Sequence, residues 1–93
     1  MSAEADAPRA RMKSLRDIET AKVDRNPENP RLHFPEDEID RLAQSIAKEG
    51  ILVPVVVYED GEGVFRLVDG ERRWICAQQL GLPTIPAVII ERI

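Results

Sequence analysis

Between Pro35 and Glu49 the apolar residues Ile39, Leu42, Ala43 and Ile46 recur at i, i+3, i+4 and i+7, the stripe of a helix that buries one face. Pro35 suits its first turn, the acids Glu36, Asp37 and Glu38 suit its positive end, and Gly50 is a natural stop beyond Lys48. The pattern predicts a helix over 35–49. Its acidic run splays around the axis, so it reads as a solvated, dipole-complementing face rather than a metal cluster. Ile51 to Tyr58 is nearly continuous in β-branched residues, broken by Pro54, and predicts a buried strand whose first residues cannot all pair. The polar loop 59–63 then turns the chain into a return strand, Val64 to Val68. A second helix is predicted over 71–80, ended by Gly81, and a last strand over 84–93. Leu15, Ile18, Ala21 and Val23 fit neither period cleanly, and the Pro-rich segment after them favours a short strand entering a loop. The order is βαββαβ, an α+β domain with two helices packed on a small mixed sheet.

The chain has 93 residues, 43% hydrophobic and only 4% aromatic. That is one modest aliphatic core, too small for a large buried active-site cavity. No apolar run approaches the roughly 18 residues of a membrane span. The N-terminus lacks a basic-then-apolar signal pattern, so a cytoplasmic protein without membrane association is expected. The one cysteine, Cys76, excludes an internal disulfide, and its place inside the second helix suits a small buried hydrophobe better than a nucleophile.

Net charge is −4, and its distribution is uneven: residues 35–62 hold eight acids against two bases. No broad basic face emerges, which argues against strong duplex-DNA binding by this segment alone. Residues 1–14, rich in Ala and charge, read as a flexible tail, with 15–93 as the domain. The second half of the tail carries Arg9, Arg11 and Lys13. It is either a solubilising segment or a basic peptide that docks on an acidic partner. The doubled Asn-Pro of Asn26-Pro27-Glu28-Asn29-Pro30-Arg31 predicts an extended, rigid stretch that presents Arg31 and His33. With no Cys or second His near it, His33 does not suggest a metal site.

Asp69-Gly70-Glu71-Arg72-Arg73-Trp74 sits where the strand pattern gives way to the second helix. A helix start offers unpaired N–H groups and the positive end of the dipole, Gly70 lets the backbone come close, and a guanidinium can fork onto phosphate. Two arginines in one first turn oppose the dipole by up to about 1 kcal/mol each. Either an anion or the neighbouring Asp69 and Glu71 must compensate. Both an anion site and an internally salt-bridged cap stand at this point.

Four blocks taken together resemble the N-terminal domain of ParB-type partition proteins: Asn29-Pro30-Arg31; Ser45 to Gly50 running into Ile51-Leu52-Val53-Pro54-Val55-Val56-Val57; Gly70-Glu71-Arg72-Arg73-Trp74; and Gly81-Leu82-Pro83 with Ile85-Pro86-Ala87-Val88. The resemblance runs from about residue 15 to the end of the chain and implies the fold shared by ParB and sulfiredoxin. It implies a nucleoside triphosphate, CTP in ParB proteins, bound with Mg²⁺. Gly70, Glu71, Arg72 and Arg73 would form the phosphate cradle, Arg31 a supporting cation, and Gly50 to Pro54 the nucleotide-facing edge. It further implies a switch and dimerisation module for chromosome or plasmid partition, self-associating on nucleotide binding, with CTP hydrolysis only in the context of a longer protein. A ParA-type ATPase would be met through Arg9, Arg11 and Lys13, and DNA through segments absent from this chain.

Three departures bear on that expectation. Val53 stands where the family pattern has Gln and offers no side-chain hydrogen bond. Ile75 replaces a further Arg, and Cys76 comes directly after it. The chain ends at Ile93, before the helical segments that complete the family's nucleotide and DNA contacts. Sulfiredoxin chemistry needs a cysteine in the turn, where this chain has Glu71. Two other readings remain: an interaction or regulatory domain without nucleotide binding, and a small nuclease or phosphoryl-transfer enzyme with Glu71 as the candidate base and Asp69 beside it.

Overall fold

A computed structural model describes residues 12–28, 33–61 and 63–91. Five strands, β1 (Met12–Glu19), β2 (Val23–Asp24), β3 (Val55–Glu59), β4 (Phe65–Asp69) and β5 (Thr84–Ile90), form one sheet in the order β1-β5-β3-β4-β2. Two helices, α1 (Glu36–Glu49) and α2 (Glu71–Gln79), complete it, with a short 3-10 turn over Thr20–Lys22. The α+β class and mixed sheet expected from the sequence are present: β1/β5 and β3/β4 are antiparallel, β3/β5 and β2/β4 parallel.

Three expected boundaries move. The first strand begins at Met12, so Met12, Lys13 and Ser14, assigned to the tail, belong to β1: Met12 and Ser14 pair with Ile90 and Ile89 of β5, and Lys13 is the extra residue of the bulge between them. The segment expected as one strand to Val23 is two, because Val23 and Asp24 cross to pair with Phe65 and Arg66 on β4. The strand expected from Ile51 begins only at Val55. Pro54 has no N–H to give a ladder, and the residues before it face solvent, Leu52 at 75% and Val53 at 58% exposure.

β1 and β2 lie on opposite edges of the sheet, yet only Thr20, Ala21 and Lys22 separate them. A flat sheet would put those edges about 19 Å apart, four intervals of about 4.8 Å. The chain from Glu19 to Val23 spans at most about 14 Å fully extended. The sheet must therefore curl until its edges approach, and the Arg16 guanidinium of β1 does sit 5.7 Å from the Phe65 ring centre on β4.

The curled sheet wraps its buried face, Ile18, Val55, Val57, Phe65, Leu67, Ile85, Ala87 and Ile89, around Trp74 and Ala77 of α2. Cys76 on the other side of α2 packs with Ile39 and Ile46 of α1. So α2 is held between the sheet and α1, and its register is fixed from both sides. Both helix stops are those expected. The Gly50 N–H donates to the Ile46 carbonyl at 2.7 Å. After α2, the Gly81 and Leu82 N–H groups donate to Gln78 (3.1 Å) and Ala77 (3.0 Å), a Schellman motif with Gly81 at φ +67°.

Candidate functional site: the Gly70 turn

β4 does not run evenly into α2. Between the Val57–Leu67 and Val56–Asp69 pairs it carries one residue more than β3, and that residue is Val68. Such a bulge bends the strand and re-aims the residues beyond it, here Asp69 and Gly70. Gly70 has φ +100°, and a Cβ there would meet Val55 Cγ1 at 2.8 Å, Arg73 Nη2 at 2.9 Å and Val55 Cα at 3.1 Å. Only glycine fits this turn without displacing the strand behind it.

Gly70 caps α2, and among the described residues no side chain donates or accepts a capping hydrogen bond there. Its carbonyl takes the Trp74 N–H at 3.0 Å, the first bond of the helix. The N–H groups of the first turn therefore have no intrahelical acceptor. They open toward a cavity of about 460 Å³ lined by Arg25, Asn26, Phe34, Leu67 and the whole run from Val68 to Arg73. That volume lies within the range of small-molecule sites.

The two tandem arginines hold different places. Arg72 Nε lies 3.0 Å from Glu38 Oε1 on α1, and its guanidinium stands 4.8 Å from the Phe34 ring centre. The Glu38 contact is one of charge, since Oε1 accepts no hydrogen bond among the described residues. Arg73 turns inward, where Nη2 donates to the Pro54 carbonyl at 3.2 Å. Its Nε is buried with no acceptor among the described residues, as is Trp74 Nε1. An orphaned guanidinium N–H beside an open cavity suits an anionic ligand.

The carboxylates do not balance these arginines as the salt-bridged cap reading requires. Glu71 Oε2 instead takes the Nε–H of Arg25 at 2.8 Å. Arg25 also lies over Trp74, 5.2 Å from the ring centre. Asp69 is exposed on the cavity wall. Arg25, Asn26 and Phe34 are lining residues that the sequence pattern does not single out. Nothing local marks Arg25, because its partner lies 46 positions away.

Of the expected cradle, Gly70, Glu71, Arg72 and Arg73 come together at the cavity. Pro54 does not line it, but its carbonyl accepts from Arg73, which does. Gly50 caps α1, is exposed and does not line it. Arg31, Arg9 and Arg11 lie outside the described residues, and Lys13 is exposed on the outer strand β1. His33 and Phe34 help line an adjoining cavity of about 510 Å³ that also shares Arg25. Among the described residues no group of three or more His, Cys, Asp or Glu is placed to hold a metal ion. No helix among them is long and apolar enough to cross a membrane.

Cys76 is buried, its Sγ–H directed at the Ile39 carbonyl at 3.5 Å. Burial pushes its thiol above the ordinary value, and the Asp40 carboxylate adds to the shift. It is a core residue between the helices, with none of the features that activate a thiol.

The ParB N-terminal domain profile matches residues 4–92. The chain belongs to the ParB N-terminal domain family. It is 37% identical over 92 residues to the chromosome-partitioning protein ParB of Caulobacter vibrioides, covering 97% of this chain and 30% of that protein. It thus spans under a third of that relative's length. Among solved structures it resembles the C-terminally truncated ParB of Caulobacter crescentus complexed with CTP-gamma-S, with TM-score 0.78 and 35% identity over 86% of this chain and 46% of the other. It also resembles sulfiredoxin of Arabidopsis thaliana, with TM-score 0.68 and 26% identity over 85% of this chain and 86% of that one. The ParB and sulfiredoxin-like fold expected from the four sequence blocks is therefore the fold of this chain, while Glu71 occupies the turn where sulfiredoxin chemistry would need a cysteine.

Proposed function

We propose that the Gly70 turn binds the phosphates of a nucleoside triphosphate, CTP foremost, and that this ParB-family domain is the nucleotide switch of a chromosome or plasmid partition protein. The observation that carries this reading is the N-terminus of α2, capped by no side chain among the described residues and opening on a cavity with Arg72 and Arg73 in its wall. The Caulobacter relative held with CTP-gamma-S supports the choice of nucleotide. Mg²⁺ needs no all-protein cage, since one or two carboxylates with phosphate oxygens suffice. Asp69, exposed on the cavity wall, would supply one. Val53 is exposed beside Pro54 and offers no hydrogen bond, so base selection at this edge would rest on backbone groups.

On this reading nucleotide binding promotes self-association, hydrolysis belongs to a longer protein, and Arg9, Arg11 and Lys13 dock a ParA-type ATPase. DNA is met through other segments of that protein. One observation favours the alternative of an interaction domain without nucleotide: Arg72 and Arg25 already have carboxylate partners.

Calorimetric titration with each of the four ribonucleoside triphosphates in Mg²⁺, repeated on the Arg72→Ala, Arg73→Ala double variant, separates the two. Selective binding lost in the variant is expected. Absence of binding to the unmodified chain would select the interaction-domain reading. Turnover of nucleotide or single-stranded DNA by the chain alone would select the enzyme reading instead.

A further inference from the structure

The tandem arginines do not make the cavity attractive to an anion on their own. Arg72 and Arg73 bring two positive charges, against which stand Glu38 on Arg72 and the wall carboxylates Asp69 and Glu71. That local sum is −1, and the α2 dipole returns only about +0.5 at its N-terminus. Counting Arg25 shifts the balance to about +0.5 and changes its sign.

Arg25 is also built into place. The Arg66 guanidinium donates to the Arg25 carbonyl at 3.3 Å and pairs with Asp24 at 3.4 Å, while the Asp24 carboxylate takes the Arg25 N–H at 2.7 Å. From this fixed backbone the side chain crosses Trp74 to reach Glu71, the first residue of α2. The Glu71 side chain is only 17% exposed, so water screens its charge poorly, and Arg25 is its partner.

We propose that Arg25 is a positioning residue of the anion site: by holding the Glu71 carboxylate it cancels the charge that would repel a phosphate at the start of α2. This rests on reading the cavity as a phosphate site. Because the role is charge cancellation, removing the Glu71 charge makes Arg25 dispensable.

The test titrates the full chain with CTP and, as a bare-phosphate probe, with pyrophosphate. Calorimetry is read alongside the emission of Trp74, the only tryptophan, which lies under Arg25. Arg25→Ala is expected to weaken both ligands about tenfold or more, with Arg25→Lys keeping most of the affinity. The double variant Arg25→Ala, Glu71→Gln is expected to recover it, which a variant that merely misfolds would not do. The inference is overturned if Arg25→Ala binds like the unmodified chain, or if the double variant stays as weak as Arg25→Ala. Binding that is still lost in the Arg72, Arg73 double variant would then leave the phosphate-site reading standing. If the unmodified chain takes pyrophosphate but not CTP, the nucleotide reading fails and the pyrophosphate arm decides the role of Arg25. Binding of neither overturns both.

Discussion

The Arg73 guanidinium donates to the Pro54 carbonyl at 3.2 Å, tying the first turn of α2 to the segment that leads into β3. Arg72, one residue earlier, makes a half-exposed ion pair with Glu38 and lies over the Phe34 ring. Removing a part-buried hydrogen bond costs about 1 kcal/mol, whereas exposed ion pairs are worth about 0–1. Arg73→Ala is therefore expected to destabilise the fold by about 1 kcal/mol and Arg72→Ala by less. Urea unfolding of the two variants compares them directly, and equal costs would mean the Pro54 bond contributes nothing.

Gly70 allows a harsher test. Alanine there would suffer both the φ of +100° and a contact of 2.8 Å with Val55 Cγ1, which lies on a core strand and cannot swing away. We predict a loss of about 2–4 kcal/mol from backbone strain and overpacking combined. A shifted urea midpoint at unchanged slope would register it, and a variant as stable as the parent would show that β3 and α2 can separate freely.

Helices, stops and the Gly70 turn were legible in the sequence because each is written within a few residues. The stripe Ile39, Leu42, Ala43, Ile46 and the stop at Gly50 need no distant partner. The site was legible only in part. That Glu71 would pair with Arg25, and Arg72 with Glu38 and Phe34, depends on how α1 and β2 are brought against α2. Hydrophobic period says which face turns inward and is silent on which charge meets which. The strand β2 was missed for a related reason: two residues, Val23 and Asp24, carry no period at all.

Glu38 competes with any incoming anion for Arg72. Glu38→Gln removes that competitor at a position on the acidic first turn of α1, and the pair is exposed, at 41% for Glu38 and 53% for Arg72. Stability should change by less than about 1 kcal/mol. Triphosphate affinity should rise severalfold at low salt, with the gain shrinking as ionic strength increases. Affinity that falls in the variant would place Glu38 on the ligand's side of the balance.

Cys76 sets a pH dependence at the alkaline end. Its folded thiol titrates above the ordinary 9.0, because burial, and then Asp40, penalise the thiolate. Below that value both folded and unfolded thiols are protonated and the contribution to stability is complete. As pH rises past it the unfolded chain ionises first, so stability falls, by up to about 1.4 kcal/mol per pH unit, until the folded thiol also ionises. The difference in unfolding free energy between the parent and Cys76→Ala, followed from about pH 7 to about 10.5, isolates the effect. A difference that does not vary with pH would contradict it. In the same frame a neutral disulfide reagent should label the native chain only through unfolding.

The pairing of Met12 with Ile90, at the open end of the β1–β5 ladder, has a mechanical consequence. Tension applied through the chain on either side of the domain would load that outermost pair alone, peeling the two strands apart one rung at a time toward Glu19 and Thr84, rather than shearing all rungs together. Successive rungs resist in turn and never in parallel. Peeling that reached Thr20 would next pull on its N–H bond to the Pro83 carbonyl, 3.0 Å long, where the chain crosses toward β2. The end of the domain where Met12 and Ile90 meet is thus its weakest point under load, while the Gly70 turn, clamped between β3 and α1, stays out of the line of force.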